Sequence, residues 1–102
     1  MKNLIIVEFP AAEGKFDELE AVLKAALLET GAFEGCRSLE VYQERGTETF
    51  TLVEDWESFD HYDRYLQWRS EGALAKLLDE LLEGGLSAQP ARIQRFQARP
   101  DV

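Results

Sequence analysis

Apolar residues fill both parities of the run from Leu4 to Phe9, which predicts a strand covered on both sides. Pro10-Ala11-Ala12-Glu13-Gly14 reads as a turn. Phe16, Leu19, Val22, Leu23, Ala26, Leu27 and Thr30 then recur at helical spacing, with no ionisable residue among them. Gly31 reads as the helix terminator, and Phe33-Glu34-Gly35-Cys36 leads into the next strand. From Arg37 to Glu44, Leu39 and Val41 alternate with Glu40 and Tyr42. The turn Arg45-Gly46-Thr47-Glu48 then makes a hairpin with a strand from Thr49 to Trp56.

That strand runs directly into the most informative helix. Ser58 is its N-cap. At about 100° per residue, Trp68, His61, Tyr65, Arg69, Tyr62, Leu66 and Phe59 form one continuous arc, opposite Asp60, Asp63, Arg64, Gln67 and Ser70. Arg69 falls inside the aromatic arc, between Tyr65 and Tyr62. An inward guanidinium is costly unless it meets a carboxylate or an anionic ligand, so this face reads as a pocket wall. Gly72 interrupts the helix, and Leu74, Leu77, Leu78, Leu81 and Leu82 define another, ended by Gly84-Gly85. Burying each leucine is worth roughly 1.5–3 kcal/mol, enough to dock that helix firmly. Pro90 introduces a closing strand from Ala91 to Ala98.

The order β-α-β-β-α-β, with the second helix split in two, predicts an α+β fold. It is a ferredoxin-like sandwich of one four-stranded antiparallel sheet with its helices on one face, a single domain over residues 1–102. Because the strands carry Leu4/Ile6 and Ile5/Val7, Phe50/Leu52 and Val53, apolar groups must point both ways. An apolar open face of that kind predicts a homodimer packed sheet to sheet.

Composition narrows the partners. The formal charge of −9 excludes nucleic acid and anionic membrane surfaces as natural partners and points to a neutral or weakly acidic ligand. One Cys and one His cannot build a Cys/His metal cluster, and Cys36 alone permits no intrachain disulfide, so a cytoplasmic setting is expected. The apolar run after Met1 is too short for a signal peptide or a membrane span.

Several motifs in this order resemble one family. They are Glu13-Gly14-Lys15 with Phe16-x-x-Leu19, Glu34-Gly35-Cys36, Phe50-x-Leu52-x-Glu54-x-Trp56-x-Ser58, and Tyr65-Leu66-x-Trp68-Arg69. Together the chain resembles the antibiotic biosynthesis monooxygenase superfamily of dimeric α+β barrels over essentially its whole length. The resemblance implies a substrate held within each monomer, between sheet and helices. It also implies, as one activity of the family, oxygenation of an aromatic, quinol or polyketide-type molecule with no cofactor. At a position where many members carry a His this chain has Tyr65, and its only His is His61, one turn earlier. Haem-degrading relatives combine an Asn, a Trp and a His; the sole Asn here is Asn3, near the chain start, so haem degradation is not expected.

Such chemistry needs a substrate that supplies its own electrons, a dry aromatic pocket, a proton acceptor and donors for the developing oxyanion. By resemblance, Trp56, Trp68 and Tyr62 would contact the ring, His61 or Tyr65 would take the proton, and Arg69 would hold the phenolate or a peroxy intermediate. Each residue also has a plainer reading. Trp56 and Trp68 suit a core or dimer interface, and His61 suits the surface. Arg69 suits an ion pair with Glu54, Glu40 or Glu8, and Cys36 a small core position. A non-catalytic small-molecule binder, or a structural dimer with a filled core, is the alternative to an enzyme.

Overall fold

The computed structural model of the chain describes residues 1–102. The strands are β1 (Asn3–Pro10), β2 (Cys36–Gln43), β3 (Thr49–Trp56) and β4 (Ile93–Gln97), and the helices are α1 (Phe16–Ala32), α2 (Phe59–Ser70) and α3 (Leu74–Leu81). All strand pairs are antiparallel, in the order β2-β3-β1-β4. The expected α+β, ferredoxin-like architecture is therefore the one found.

Strict alternation along β3 sets the two faces. Phe50, Leu52, Glu54 and Trp56 are buried beneath the helices, while Thr49, Thr51, Val53 and Asp55 face the other way. Ile5 and Val7 of β1 join the buried set, with Leu19 and Leu23 of α1, Tyr62 and Tyr65 of α2, and Leu78 and Leu81 of α3. The opposite face carries Leu4 and Ile6, with Ile6 directly opposite Val53 and Leu4 opposite Phe96.

Three boundaries differ from the sequence expectation. Helix α1 runs through Gly31 to Ala32, because Thr30 and its neighbours are held by α2 and a glycine's weak propensity is overridden by packing. Helix α3 ends at Leu81 rather than at the glycine pair, since Leu82 is drawn into an isolated bridge with Ala11. The segment before the last strand is a 3-10 helix, Leu86–Arg92, so β4 is only five residues long. Its pairing with β1 ends at Val7; one residue on, the Glu8 carbonyl accepts a hydrogen bond from Gln89 Nε2 at 3.0 Å. Within α3, Leu78 and Leu81 are buried but Leu77 is half-exposed, so the docked face is narrower than five leucines implied.

Candidate active site

Between the sheet and the three helices lies a cavity of about 350 Å³. Its wall is mostly apolar, built from Val7 and Leu52 of the sheet, Leu23 and Leu27 of α1, Leu66 of α2 and Leu74 and Leu78 of α3. Polar side chains interrupt that wall at Thr30, Glu54, Tyr62, Tyr65, Arg69, Ser70 and Gln89.

Glu54 is the unexpected member. It shares the inward parity of Phe50, Leu52 and Trp56 and is only 3% exposed. Burial pushes its carboxyl up to about 7, against the smaller opposing pull of a hydrogen bond from Trp56 Nε1 to Glu54 Oε1 at 2.8 Å. A carboxyl in that range exchanges protons near neutrality. In the sequence Glu54 stands out only as a motif position and a possible partner for Arg69; its parity with Phe50, Leu52 and Trp56 is the signal that places it inside.

Arg69 meets different partners. Its Nη1 pairs with Glu29 at 3.2 Å, not with Glu54, Glu40 or Glu8. Its Nε donates to the Tyr65 hydroxyl at 2.9 Å, and Nη2 donates to the Ala26 carbonyl at 2.7 Å and to Thr30 Oγ1 at 3.2 Å. Tyr65 and Thr30 share a further hydrogen bond of 2.6 Å between their hydroxyls. The guanidinium also lies 4.6 Å from the Trp68 ring centroid. Arg69 thus lines the cavity while binding the second half of α1 to α2. Burial raises the Tyr65 pKa, and the hydrogen bonds from Thr30 and Arg69 act the other way.

Tyr62 lies deeper, 2% exposed, with burial first and the Glu54 carboxyl second keeping its hydroxyl protonated. Trp56 is fully buried behind this layer, its ring 5.5 Å from Tyr62 and 5.3 Å from Tyr65, and it reaches the cavity only through Glu54. Trp68 stands on the outer rim of the arc, 42% exposed, packed against Phe33.

His61 is not in the cavity wall. Its Nδ1 meets Ser58 Oγ at 2.6 Å and its Nε2 meets Glu57 at 2.9 Å. Ser58 Oγ also accepts from the His61 backbone N–H, completing the expected N-cap. The ring packs so closely on Gly35, whose φ is +95°, that a Cβ there would lie 2.5 Å from it. Of the six side chains anticipated at the site, the cavity brings together Tyr62, Tyr65 and Arg69; Trp56, Trp68 and His61 stand outside its lining. Cys36 is half-buried, its thiol pushed up to about 11 chiefly by burial and then by Glu54 and Asp55, which leaves it inert.

The sequence profile of the antibiotic biosynthesis monooxygenase family matches residues 4–79. The chain belongs to that family. Solved structures share its fold at low identity. A conserved protein from Methanosarcina mazei is 22% identical with a TM-score of 0.77, over 97% of this chain and 94% of that one. A Pseudomonas aeruginosa protein is 22% identical with a TM-score of 0.71, over 96% and 94%. A Shewanella oneidensis protein is 19% identical with a TM-score of 0.72, over 93% and 88%. No curated protein matches the chain. The family profile ends before Gln89 and β4, so it carries nothing about that part of the wall. No helix is long and apolar enough to cross a membrane.

Proposed function

We propose that this family member is a cofactor-independent monooxygenase that oxidises a small aromatic, quinol or polyketide-type substrate inside the cavity. The observation that carries the reading is one buried carboxyl, Glu54, only 3% exposed in a cavity wall that is otherwise largely hydrocarbon, where burial pushes its pKa up to about 7. A substrate with an enol or phenol beside a reactive carbon loses a proton to the Glu54 carboxylate. The resulting carbanion gives its electron pair to molecular oxygen, forming a carbon–oxygen bond. Glu54 returns its proton to the terminal peroxide oxygen, and its freed carboxylate then takes the second proton from that carbon. The C–H electron pair becomes the carbonyl bond, the O–O bond breaks, and the departing hydroxide takes the proton from Glu54 to leave as water. Tyr62, whose hydroxyl stays protonated, is the donor for the oxyanion that precedes attack on oxygen.

This reading moves the proton-acceptor role from His61 or Tyr65 to Glu54. Tyr65 and Arg69 then set the shape of the wall, since each is already engaged by α1. Oxygen consumption with a panel of quinols and anthrones tests the reading. Glu54→Gln should lower turnover by about 100-fold or more, while His61→Gln should keep it within a few-fold. Unchanged turnover in Glu54→Gln would remove Glu54 from the mechanism. Ligand binding with no oxygen uptake across the panel would favour the non-catalytic binding module instead. The active species in this reading is a cytoplasmic homodimer joined through the open face of the sheet.

A further inference from the structure

One buried polar atom has no partner. Gln89 is 8% exposed, lines the cavity, and its Oε1 finds no hydrogen-bond donor. Its amide cannot be turned to relieve this. The Nε2 end donates to the Glu8 carbonyl at 3.0 Å, and a carbonyl can only accept. That bond takes up the strand acceptor left where β4 stops, so the orientation is fixed by the end of the sheet. The unmet acceptor therefore belongs to a residue fixed in the wall of a mostly apolar cavity, the oxygen itself being buried, and leaving such an atom unmatched is costly.

We propose that Gln89 Oε1 is the specificity determinant of this cavity, accepting a hydrogen bond from a hydroxyl on a neutral, planar ligand. This rests on the monooxygenase reading only for the ligand's being an enol or phenol; the acceptor itself is independent of any chemistry. An aromatic hydroxyl meets the requirement as a strong donor on an apolar body. A methyl ether of the same shape offers no donor and leaves Oε1 unmatched. Gln89 needs to touch neither oxygen nor the reacting carbon, so its effect falls on which molecule enters and how it lies.

The test compares 2-naphthol with 2-methoxynaphthalene by titration calorimetry on the full chain. The wild type should bind the naphthol roughly tenfold tighter or more. Gln89→Met, which keeps the length of the side chain but neither amide group, should bring the two affinities within about threefold by weakening the naphthol alone. A second readout uses the wild type, so that the proposal does not depend on the variant's folding. The Gln89 side-chain amide resonances should move on adding the naphthol and stay in place with the ether. Discrimination that survives Gln89→Met, unmoved Gln89 resonances, or binding of neither compound would each overturn the proposal. Gln89-dependent discrimination without oxygen uptake from any quinol or anthrone would instead defeat the monooxygenase reading and leave this one standing. Turnover with unaltered discrimination would do the reverse.

Discussion

Trp56 Nε1 donates to Glu54 Oε1 at 2.8 Å, from a ring that is itself wholly buried. The two residues are two apart on β3 and so share its inner face. The indole N–H thus holds one carboxylate oxygen within an apolar layer, and it favours the charged form that burial opposes. Burial wins: the carboxyl sits at about 7 rather than 4.5.

That imbalance makes stability pH-dependent in an unusual direction. Below about 4.5 Glu54 is protonated in both folded and unfolded chains and costs nothing. Between 4.5 and about 7 the folded chain holds the proton that the unfolded chain has lost, so stability falls as pH rises. Above about 7 the full penalty applies, on the order of 3 kcal/mol at about 1.4 kcal/mol per pH unit. Glu54→Gln lacks this term. Urea unfolding at pH 5 and pH 8 should show the variant gaining on the wild type by a few kcal/mol between the two. A constant difference would mean that the carboxyl titrates normally.

Trp56→Phe isolates the opposing contact. Removing the N–H donor deprives the carboxylate of its hydrogen bond, so the Glu54 midpoint should climb further above 7, read by carboxyl carbon resonances across a pH series. The smaller ring should also cost about 1–3 kcal/mol, because Trp56 is fully buried against Tyr62 and Tyr65. A midpoint that stays or falls would mean another donor replaces the indole.

How far the sequence could reach is visible in these same residues. Period-two alternation in β3 and helical spacing in α1 located the sheet, its buried side and the helix that covers it. The arc on α2 correctly turned Tyr62, Tyr65 and Arg69 toward the interior. The angular pattern cannot say how deep a residue lies. Trp68 falls on the arc yet half-emerges, and His61 is captured by Ser58 and Glu57 at the helix start. Arg69's partner, Glu29, belongs to a different helix 40 residues away, a pairing set by how α1 crosses α2. Gln89 carried no signal at all: it lies in a 3-10 helix, where neither period applies, and its burial follows from where β4 stops.

Arg69 should behave as a clamp with an uneven set of contacts. Arg69→Ala leaves the Ala26 carbonyl and the Tyr65–Thr30 pair without their charged donor, inside a largely buried cluster. A loss of about 1.5–3 kcal/mol in urea unfolding is expected. Glu29→Gln removes only the outer partner, whose side chain is 60% exposed, and should cost less than about 1 kcal/mol. Arg69→Lys should recover little, because an ammonium cannot serve Tyr65, Thr30 and Ala26 from the positions of a planar fork. Equal losses from Arg69→Ala and Glu29→Gln would assign the stabilisation to the surface ion pair instead.

The open face of the sheet yields the last prediction. Ile6 sits at its centre, opposite Val53 on one side and Gln94 on the other, with Leu4 and Phe96 adjacent. Leaving such a group in water forgoes burial worth roughly 1.5–3 kcal/mol per large side chain, and a second copy supplies the matching surface by two-fold symmetry. The wild type should therefore sediment at twice the 11.6 kDa chain mass. Ile6→Lys puts a charge from each copy into the desolvated layer of such an interface. Because the Ile6 side chain points away from the helices, the monomer's core is untouched, and circular dichroism should remain that of the wild type. The variant should sediment as a single 11.6 kDa species over the same concentration range. A wild type that is already monomeric when dilute would refute the dimer, and an Ile6→Lys variant that stays dimeric would place the interface elsewhere.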